Sequence, residues 1–189
     1  MIYRLAGIED LEGIMALEKD SLEHPWSKED VRVMLTSNRY HAIVCVDVDR
    51  IVGYAGASYV IDEAEIGNIC VNSEYRRQGI GSRIWRELEA NLRCKNVKTV
   101  FLEVEESNAS ARAMYEKLGF VSYNVRQDYY GHKKSAVLMK NNLRKYTKHK
   151  SFFRGFAVKE RKYQVVFACL LTLILFENIL YENAVLDFD

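Results

Sequence analysis

Residues Arg76-Arg77-Gln78-Gly79-Ile80-Gly81 lie between a strand-like run that ends near Val71 and a helix-like run that follows. Because glycine has no side chain, backbone amides there can approach a ligand closely, and the N-terminus of a helix carries partial positive charge. The two arginines, with Arg83 one turn further on, add full charges. The segment indicates a site for a pyrophosphate, although alone it also fits a tight turn before a helix.

The spacing of the glycines excludes two common phosphate-binding motifs. A P-loop has four residues between its two glycines and a Lys-Ser or Lys-Thr pair directly after the second one. A dinucleotide-binding fold has a third glycine and, further along the chain, an acid that binds the ribose. Neither pattern is present around Gly79 and Gly81. We therefore expect phosphate binding by a different fold.

Hydrophobic periodicity predicts alternating helices and strands along the first three quarters of the chain. The predicted strands cover 2–5, 41–48, 51–61, 65–71, 99–105, 120–126 and 135–139, and the predicted helices cover 10–22, 27–38, 79–93 and 108–118. Ser27 is the expected cap of the second helix. Short links at 49–50 and 62–63 predict hairpin turns and hence an antiparallel meander. The predicted fold class is α/β, with a central mixed, mostly antiparallel sheet flanked by helices.

The glycine segment matches the pyrophosphate loop of the GNAT acetyltransferases, in which Arg or Gln is followed after two residues by Gly-x-Gly or Gly-x-Ala. Other segments resemble the RimI-type branch, the ribosomal-protein-alanine N-acetyltransferases. These segments are His24-Pro25-Trp26-Ser27, Asn68-Ile69-Cys70-Val71, Leu102-Glu103-Val104 with Ser107-Asn108-Ala109, 114–120, and Tyr129-Tyr130. The resemblance covers residues 1 to about 140 in the expected order, and it implies the GNAT fold.

The resemblance implies acetyl-CoA as the acetyl donor and assigns residues to it. Backbone groups of Ile69, Cys70 and Val71 would hold the pantetheine and thioester. The residues implied for the pyrophosphate are Arg77, Gln78, Gly79, Ile80, Gly81 and Ser82. Asn108 would also contact the cofactor. Asn108 and Tyr115 are seven residues apart, so on one helix they would face the same side and flank one extended ligand.

Acetyl transfer to an amine needs a group that takes a proton from the nitrogen and a group that supports the departing thiolate. Glu103 lies between apolar Leu102 and Val104. A carboxylate in an apolar setting holds a proton more strongly, so Glu103 is the candidate general base, acting directly or through water. Tyr115 is the candidate acid for the thiolate. A solvated surface glutamate and a packed core tyrosine are the alternatives that the residue types alone leave open.

A covalent route through Cys70 and a metal-assisted route are both disfavoured by the sequence. No histidine neighbours Cys70, and an apolar strand disfavours its thiolate. We therefore expect direct transfer in a ternary complex, as the resemblance also implies. The four histidines and four cysteines show no metal-ligand spacing, so no metal is predicted.

The resemblance implies a particular acceptor, the N-terminal alanine of the eighteenth small-subunit ribosomal protein. Acidic Asp62, Glu63 and Glu65 can attract a basic peptide, or they can simply solubilise a turn. The aromatic candidates for walls of a peptide groove, with core packing as the alternative, are Trp26, Tyr129 and Tyr130. The basic stretch 131–135 departs from relatives that carry an acidic turn there, which leaves the peptide specificity open.

Two other classes of function remain open at this point. One is a GNAT enzyme for a different amine, such as a small molecule, a lysine or an aminoacyl-tRNA. The other is a catalytically silent acyl-CoA-binding module, although the presence of both Glu103 and Tyr115 argues against it.

Charge divides the 189-residue chain near Leu143. Residues 1–143 are predicted to form the acetyltransferase domain and carry a net charge of −2, whereas 144–163 carry +7 and the remainder −4. The tail, 144–189, combines a basic-aromatic linker with an apolar helical stretch at Val165–Phe176. That stretch is too short to span a bilayer. The tail fits weak membrane association, or packing on the domain or on a second copy, with a solvated linker as the alternative for its basic-aromatic part.

The overall composition points to a cytoplasmic protein. The net charge of +1 and the single proline argue against a disordered chain and against a global nucleic-acid footprint, so no direct nucleic-acid binding is expected. The cysteines are widely spaced and form no Cys-x-x-Cys pair, so we expect reduced thiols, and we expect the N-terminal residues not to act as a signal peptide. A peripheral membrane position through the tail is the added possibility.

Overall fold

A computed structural model of the protein describes residues 1–143. The strands are β1 (Ile2–Leu5), β2 (Tyr40–Asp47), β3 (Arg50–Val60), β4 (Glu63–Val71), β5 (Thr99–Glu105), β6 (Val121–Arg126) and β7 (Ala136–Asn142). The α-helices are α1 (Leu11–Ser21), α2 (Lys28–Thr36), α3 (Ile80–Cys94) and α4 (Ala109–Lys117), and short 3-10 turns cover Ile8–Asp10 and Ser73–Tyr75. The predicted order of elements is confirmed.

The seven strands form one sheet in the order β1-β2-β3-β4-β5-β7-β6. Neighbouring strands are antiparallel except for β4 and β5, which are parallel. A parallel pair requires a crossover connection, and α3 provides it. The prediction of a mixed, mostly antiparallel sheet flanked by helices is therefore confirmed.

The sheet has one hydrophobic cluster on each of its two faces. On one face, Ile84, Trp85 and Leu88 of α3 pack with side chains from β2 to β7, and Tyr115 of α4 joins this cluster. On the other face, α1 and α2 pack on β2, β3 and β4. Successive residues of a strand point to opposite faces, which is why Val44 and Cys45 belong to different clusters.

Both hairpin turns begin one residue earlier than predicted. Asp47 pairs with Arg50, so Val48 and Asp49 form the first turn, and Val60 pairs with Glu63 across the second. Val48 has φ 55° and Ile61, the first residue of the second turn, has φ 57°. Turns with positive φ match the twist of a hairpin, and here the register of the strands outweighs the preference for polar turn residues.

The remaining boundaries differ from the predictions by a few residues. Ser27 caps α2 as predicted, because its hydroxyl accepts a hydrogen bond from the backbone N–H of Asp30. Phe120 is buried before β6 rather than being part of it, and β7 extends to Asn142. None of the helices within residues 1–143 is long and apolar enough to cross a membrane. The predicted tail, 144–189, lies outside the described residues.

Candidate active site

The parallel strands β4 and β5 separate partway along their length. They pair at Glu63–Thr99, Ala64–Val100 and Glu65–Phe101, and the ladder stops there. Each strand then continues, β4 to Val71 and β5 to Glu105. The carboxyl ends of parallel strands lie at the same edge of a sheet. The facing backbone edges of residues 67–71 and 102–105 are therefore not joined to each other, which opens a cleft between two strands of one sheet.

A bulge in β4 marks the start of this cleft. Gly56 pairs with Asn68 and Ala57 with Ile66, so Gly67 is the extra residue. Bulges interrupt a ladder and bend the strand locally. A Cβ atom at residue 67 would lie 2.5 Å from Cζ2 of Trp26, which shows that the indole packs directly on the bulge. Glycine is needed here for this close approach.

The predicted thioester segment, Ile69, Cys70 and Val71, lies on the β4 side of the cleft. The side chains of Ile69 and Val71 pack towards α3, whereas Cys70 packs with the α1 and α2 cluster. Burial raises the pKa of the Cys70 thiol, and the nearby Ser21 side chain offsets only part of that rise. What these three residues present to the cleft is therefore backbone, and their contact with a cofactor remains a prediction.

The predicted pyrophosphate segment forms a loop with two left-handed residues. Arg77 has φ 64° and Gly79 has φ 78°, and Gly79 is the residue that precedes α3. A Cβ atom on Gly79 would have no neighbour within 4 Å, so open space faces it. Ile80, Gly81 and Ser82 lie in the first turn of α3. Backbone N–H groups in the first turn of a helix have no hydrogen-bond acceptor within that helix.

Side chains of the loop divide between structural contacts and exposure. Arg76 donates a hydrogen bond of 3.0 Å from Nε to the carbonyl of Val71, which ties the loop to the end of β4. Gln78 donates to the carbonyl of Glu74 at 3.4 Å. Arg77 is exposed beside the helix N-terminus. A loop of this shape and charge is suited to an anionic phosphate group.

Contacts around Gly81 bring three elements together at one end of the cleft. A Cβ atom there would be 3.2 Å from Sδ of Met114 in α4 and 3.7 Å from Cγ2 of Val71 in β4. The pyrophosphate loop, the end of β4 and helix α4 thus converge. The structure thus places Gly81 of the predicted pyrophosphate segment beside Val71 of the predicted thioester segment.

Asn108 has a structural contact that the sequence did not predict. It precedes α4 rather than lying within it, and its Oδ1 accepts a hydrogen bond of 3.1 Å from the N–H of Ala111. The argument that Asn108 and Tyr115 share one helical face is therefore wrong, because Asn108 is a cap with non-helical backbone angles. Its Nδ2 is not used by this cap. A cofactor contact of Asn108 remains a prediction.

Tyr115 is buried near the end of α4. Its ring meets Phe120 edge to face, with 5.7 Å between the ring centroids. Burial, with a smaller contribution from nearby Tyr130, raises the pKa of Tyr115 to about 12. A phenol is already protonated near neutral pH, and the raised pKa means that the Tyr115 hydroxyl releases its proton less readily while it can still donate a hydrogen bond.

Glu103 lies on the opposite face of the sheet from Tyr115. Leu102 and Val104 point into the cluster that contains Tyr115, and strand alternation directs Glu103 the other way. Its side chain is 18% exposed, and its Oε1 accepts a hydrogen bond of 2.8 Å from Nη1 of Arg126. The apolar setting predicted from its neighbours in sequence is thus corrected, since those neighbours face away from the carboxylate.

Two tyrosines surround this carboxylate. Hydrogen bonding to Glu103, followed by its negative charge, raises the pKa of Tyr129. The ring of Tyr129 also lies under the guanidinium of Arg126, 5.0 Å from Cζ to the centroid. Burial and then the charge of Glu103 raise the pKa of Tyr130. Tyr130 is within electrostatic range of both candidate catalytic groups, Glu103 and Tyr115.

A groove of about 310 Å³ extends from Glu103 across the same face of the sheet. Its lining includes acidic Glu63 and Glu65 and aromatic Tyr59, Phe101 and Tyr123. Phe101 and Tyr123 contact edge to face at 6.0 Å between centroids. The predicted acid Asp62 does not belong to this lining, and its carboxylate pairs with Lys98 at 2.7 Å. The groove has the form and charge of a site for an extended, basic segment.

The loop between α1 and α2 closes one side of this region. Nζ of Lys134, in the loop between β6 and β7, lies 3.4 Å from Oε1 of Glu23. Trp26 of the same α1–α2 loop packs on Gly67. The basic stretch 131–135 is therefore tied to the rim of the cleft by an ion pair.

The sequence did not single out two residues that the site contains. Arg126, on β6, reaches Glu103 from two strands away, and no local pattern signals such a contact. Glu18 is fully buried within α1. An acid on the apolar stripe of a helix, beside Leu17, was the available signal. Within residues 1–143, no group of three or more His, Cys, Asp or Glu side chains is placed to hold a metal ion.

Comparison with known proteins gives a consistent picture. Residues 11–120 match the family described as Acetyltransferase (GNAT) family. The chain is 33% identical over 133 residues to the ribosomal protein bS18-alanine N-acetyltransferase of Salmonella typhimurium, a match that covers 68% of this chain and 89% of that protein. This level of similarity extends over nearly the whole relative.

Solved structures show the same fold. The crystal structure of the ribosomal-protein-S18-alanine N-acetyltransferase from Escherichia coli aligns with a TM-score of 0.70 and 30% identity, covering 75% of this chain and 92% of that one. An aminoglycoside 6'-N-acetyltransferase complexed with coenzyme A aligns with a TM-score of 0.64 and 20% identity, covering 75% and 97%. The second likeness concerns the fold alone.

Proposed function

The chain belongs to the GNAT family of acetyltransferases, whose acetyl donor is acetyl-CoA, and we propose that it acetylates the N-terminal alanine of ribosomal protein bS18. The acceptor follows from the relatives, which are named for that reaction. The observation that carries the proposal is the cleft between β4 and β5, which has Glu103 at one edge and the loop of Gly79 and Gly81 at its end. The donor supplies the acetyl group as a thioester.

The residues present fit an extended, phosphate-bearing donor. Backbone of Ile69, Cys70 and Val71 is available along β4 for amide groups of a pantetheine arm. The left-handed Gly79, the first turn of α3 and exposed Arg77 provide N–H groups and positive charge for the pyrophosphate. The full set proposed for the phosphate end is Arg77, Gln78, Gly79, Ile80, Gly81 and Ser82, with Asn108 contributing its Nδ2.

Opposite placement of Glu103 and Tyr115 divides the proton transfers between two faces of the sheet. Glu103 faces the groove, so an amine that enters along the groove meets a carboxylate that can take its proton, directly or through water. Tyr115 faces the side of the sheet that carries α3 and α4, and its phenol is protonated near neutral pH, well below a pKa that burial raises to about 12. It can protonate or hydrogen-bond the departing sulfur. We propose direct transfer with both substrates bound and no metal.

The groove supports a peptide as the acceptor. Unpaired Glu63 and Glu65 line it within the described chain, and the two acids lie on the face that carries Glu103. An extended peptide whose amine is at Glu103 would place its following residues near these acids, which favours basic side chains. Trp26 and the tyrosine pair 129–130 border the same region.

Intact-mass analysis after incubation with acetyl-CoA tests the proposal. The acceptors are a peptide that copies the N-terminus of bS18, the same peptide with its N-terminal amine blocked, a polyamine and a charged tRNA. We expect a single acetyl group on the free peptide and none on the blocked one. Acetylation of the polyamine or the tRNA without the peptide would show a GNAT enzyme for a different amine. Binding of acetyl-CoA without transfer to any acceptor would show a non-catalytic module.

A further inference from the structure

Glu18 is a carboxylate with no exposed surface, on the inner side of α1. Burying a charged group is costly unless hydrogen bonds replace its hydration. Glu18 has three such bonds. Its Oε2 accepts from the backbone N–H of Trp26 at 2.6 Å, and its Oε1 accepts from Nδ2 of Asn68 at 2.8 Å and from the hydroxyl of Tyr54. Within residues 1–143, all three donors to this carboxylate are neutral groups.

The three donors come from three separate parts of the fold. Trp26 belongs to the α1–α2 loop, Tyr54 to β3, and Asn68 to β4 immediately after the bulge at Gly67. Burial and then the hydrogen bond to Glu18 raise the pKa of Tyr54, so its hydroxyl keeps the proton that it donates. One side chain thus connects helix α1 to the loop and to the strand that borders the cleft.

The position of the Trp26 indole depends on the same network. The ring packs against Gly67, where a Cβ atom would lie 2.5 Å from Cζ2 and 2.6 Å from Cη2. The backbone N–H of Trp26 is held by Glu18 at 2.6 Å. Glu18 therefore connects the backbone of Trp26 to Asn68, the residue next to the bulge on which the indole packs.

An apolar side chain would fill the same space without this connection. It would leave the N–H of Trp26, the amide of Asn68 and the hydroxyl of Tyr54 without their shared acceptor, and each unsatisfied buried group is unfavourable. Two carboxylate oxygens suit the site because they accept from several directions at once. These contacts hold the three donor groups in fixed positions relative to one another.

We propose that Glu18 is a positioning residue for the acceptor side of the active site. It acts through Trp26 and Asn68 and does not touch the reacting atoms. By holding the α1–α2 loop on the β4 bulge, it sets the width of the entrance through which the peptide amine reaches the cleft. This inference rests on the proposed function, because it takes a peptide as the acceptor.

The test compares Glu18→Met with Glu18→Gln in the full chain. Met has similar length but accepts no hydrogen bonds. Gln retains an oxygen for the Trp26 N–H, and its NH2 group can meet the oxygen of a rotated Asn68 amide. We expect Glu18→Met to raise the peptide KM by at least about tenfold, since small displacements in a site have effects of this size or larger. The acetyl-CoA Kd should change by less than about threefold, and Glu18→Gln should stay within about threefold of wild type in both.

Asp20→Asn is the matched control, because Asp20 is an exposed acid on the same helix. We expect it to leave both constants unchanged. A purely structural role would lower the fraction of folded enzyme without changing the peptide KM of the folded part. An unchanged peptide KM in folded Glu18→Met would overturn the proposal.

Tryptophan fluorescence provides a readout that does not depend on activity. The chain has two tryptophans, and Trp85 is 1% exposed, so a change in quenching by acrylamide reports on Trp26. We expect increased quenching in Glu18→Met and none in Glu18→Gln. If the wild-type protein acetylates no peptide, the proposed function fails. The fluorescence measurement still tests whether Glu18 positions Trp26. Equal quenching in all variants would overturn the inference.

A second pair of variants applies if Glu18→Met does not fold. Asn68→Asp places two carboxylates against each other, and adding Glu18→Gln restores a donor facing an acceptor. We expect the single variant to raise the peptide KM and the double variant to recover it to within about threefold of wild type. Absence of recovery would overturn the role of the Glu18–Asn68 contact.

Discussion

Arg126 on β6 donates a hydrogen bond of 2.8 Å to Glu103 on β5, on the face of the sheet that carries the acceptor groove. The guanidinium is 53% exposed and the carboxylate 18% exposed. An ion pair with such access to water contributes about 0.2 to 1 kcal/mol to stability. The contact therefore orients Glu103 at the cleft and contributes little to holding the fold together.

Glu103→Gln should lower turnover by at least about tenfold, because general acid-base groups typically contribute that much or more. The free energy of unfolding should change by less than about 1 kcal/mol, given the exposure of the ion pair. Steady-state kinetics and urea unfolding measure these two effects. Glu105→Gln, two residues along the same strand, is the control and should retain turnover. Normal turnover in Glu103→Gln would remove this residue from the proposed role.

Tyr115→Phe should reduce turnover at neutral pH by about tenfold or more while the ring continues to pack against Phe120. The variant keeps the volume of the side chain and removes only the hydroxyl. Binding of acetyl-CoA should persist, which calorimetry checks. Tyr123→Phe changes an exposed phenol in the groove and serves as the control for loss of a hydroxyl. Equal turnover in the two variants would argue against a proton donor at residue 115.

The raised pKa of Tyr115 also predicts how stability depends on pH. Burial raises this pKa from 10.0 to about 12, so between these values the folded state keeps a proton that the unfolded state has lost. The corresponding stability is fully present below pH 10 and is lost as the pH rises towards 12, up to about 2.7 kcal/mol for two pKa units. Urea unfolding at about pH 9 and about pH 11 should therefore show a smaller loss of stability in Tyr115→Phe than in wild type. Equal losses would contradict the prediction.

Gly79→Ala should weaken acetyl-CoA binding through the backbone alone. The residue has φ 78°, which costs a side-chain-bearing residue about 1 kcal/mol or more, whereas a Cβ atom would meet nothing within 4 Å. Relief of this strain would shift the loop and the N–H groups at the start of α3. We expect the Kd for acetyl-CoA to rise several-fold in titration calorimetry. Gly131→Ala is matched, with φ 122° and open space, and should lose stability without losing acetyl-CoA affinity.

Local patterns were enough to predict most of the fold. Helix α3 followed from its apolar stripe, and β5 followed from a run in which Val100, Leu102 and Val104 alternate with less buried residues. Ser27 predicted the start of α2, because the side chain of a capping residue bonds to the first turn of the helix that follows it. These signals depend on residues that are close in sequence, which is why they could be read without a structure.

Long-range contacts explain what the sequence did not predict. The hairpin turns begin at Val48 and Ile61 because strand pairing sets the register, although neither residue favours positive φ. Leu102 and Val104 suggested an apolar setting for Glu103, but alternation places the carboxylate beside Arg126. Glu18 joins α1 to residues as far away as Asn68. Only the folded chain brings such partners together.

Cys70→Ala should retain turnover to within about threefold of wild type, because the thiol is a packing group in the α1 and α2 cluster. Burial raises the pKa of this thiol and so disfavours the thiolate that a covalent route would need. Intact mass of wild-type enzyme mixed with acetyl-CoA alone should show no added acetyl group. An acetylated enzyme that transfers its acetyl group to the peptide, together with inactive Cys70→Ala, would replace direct transfer by a two-step route. Retained activity would leave Glu103 and Tyr115 as the groups that move the protons.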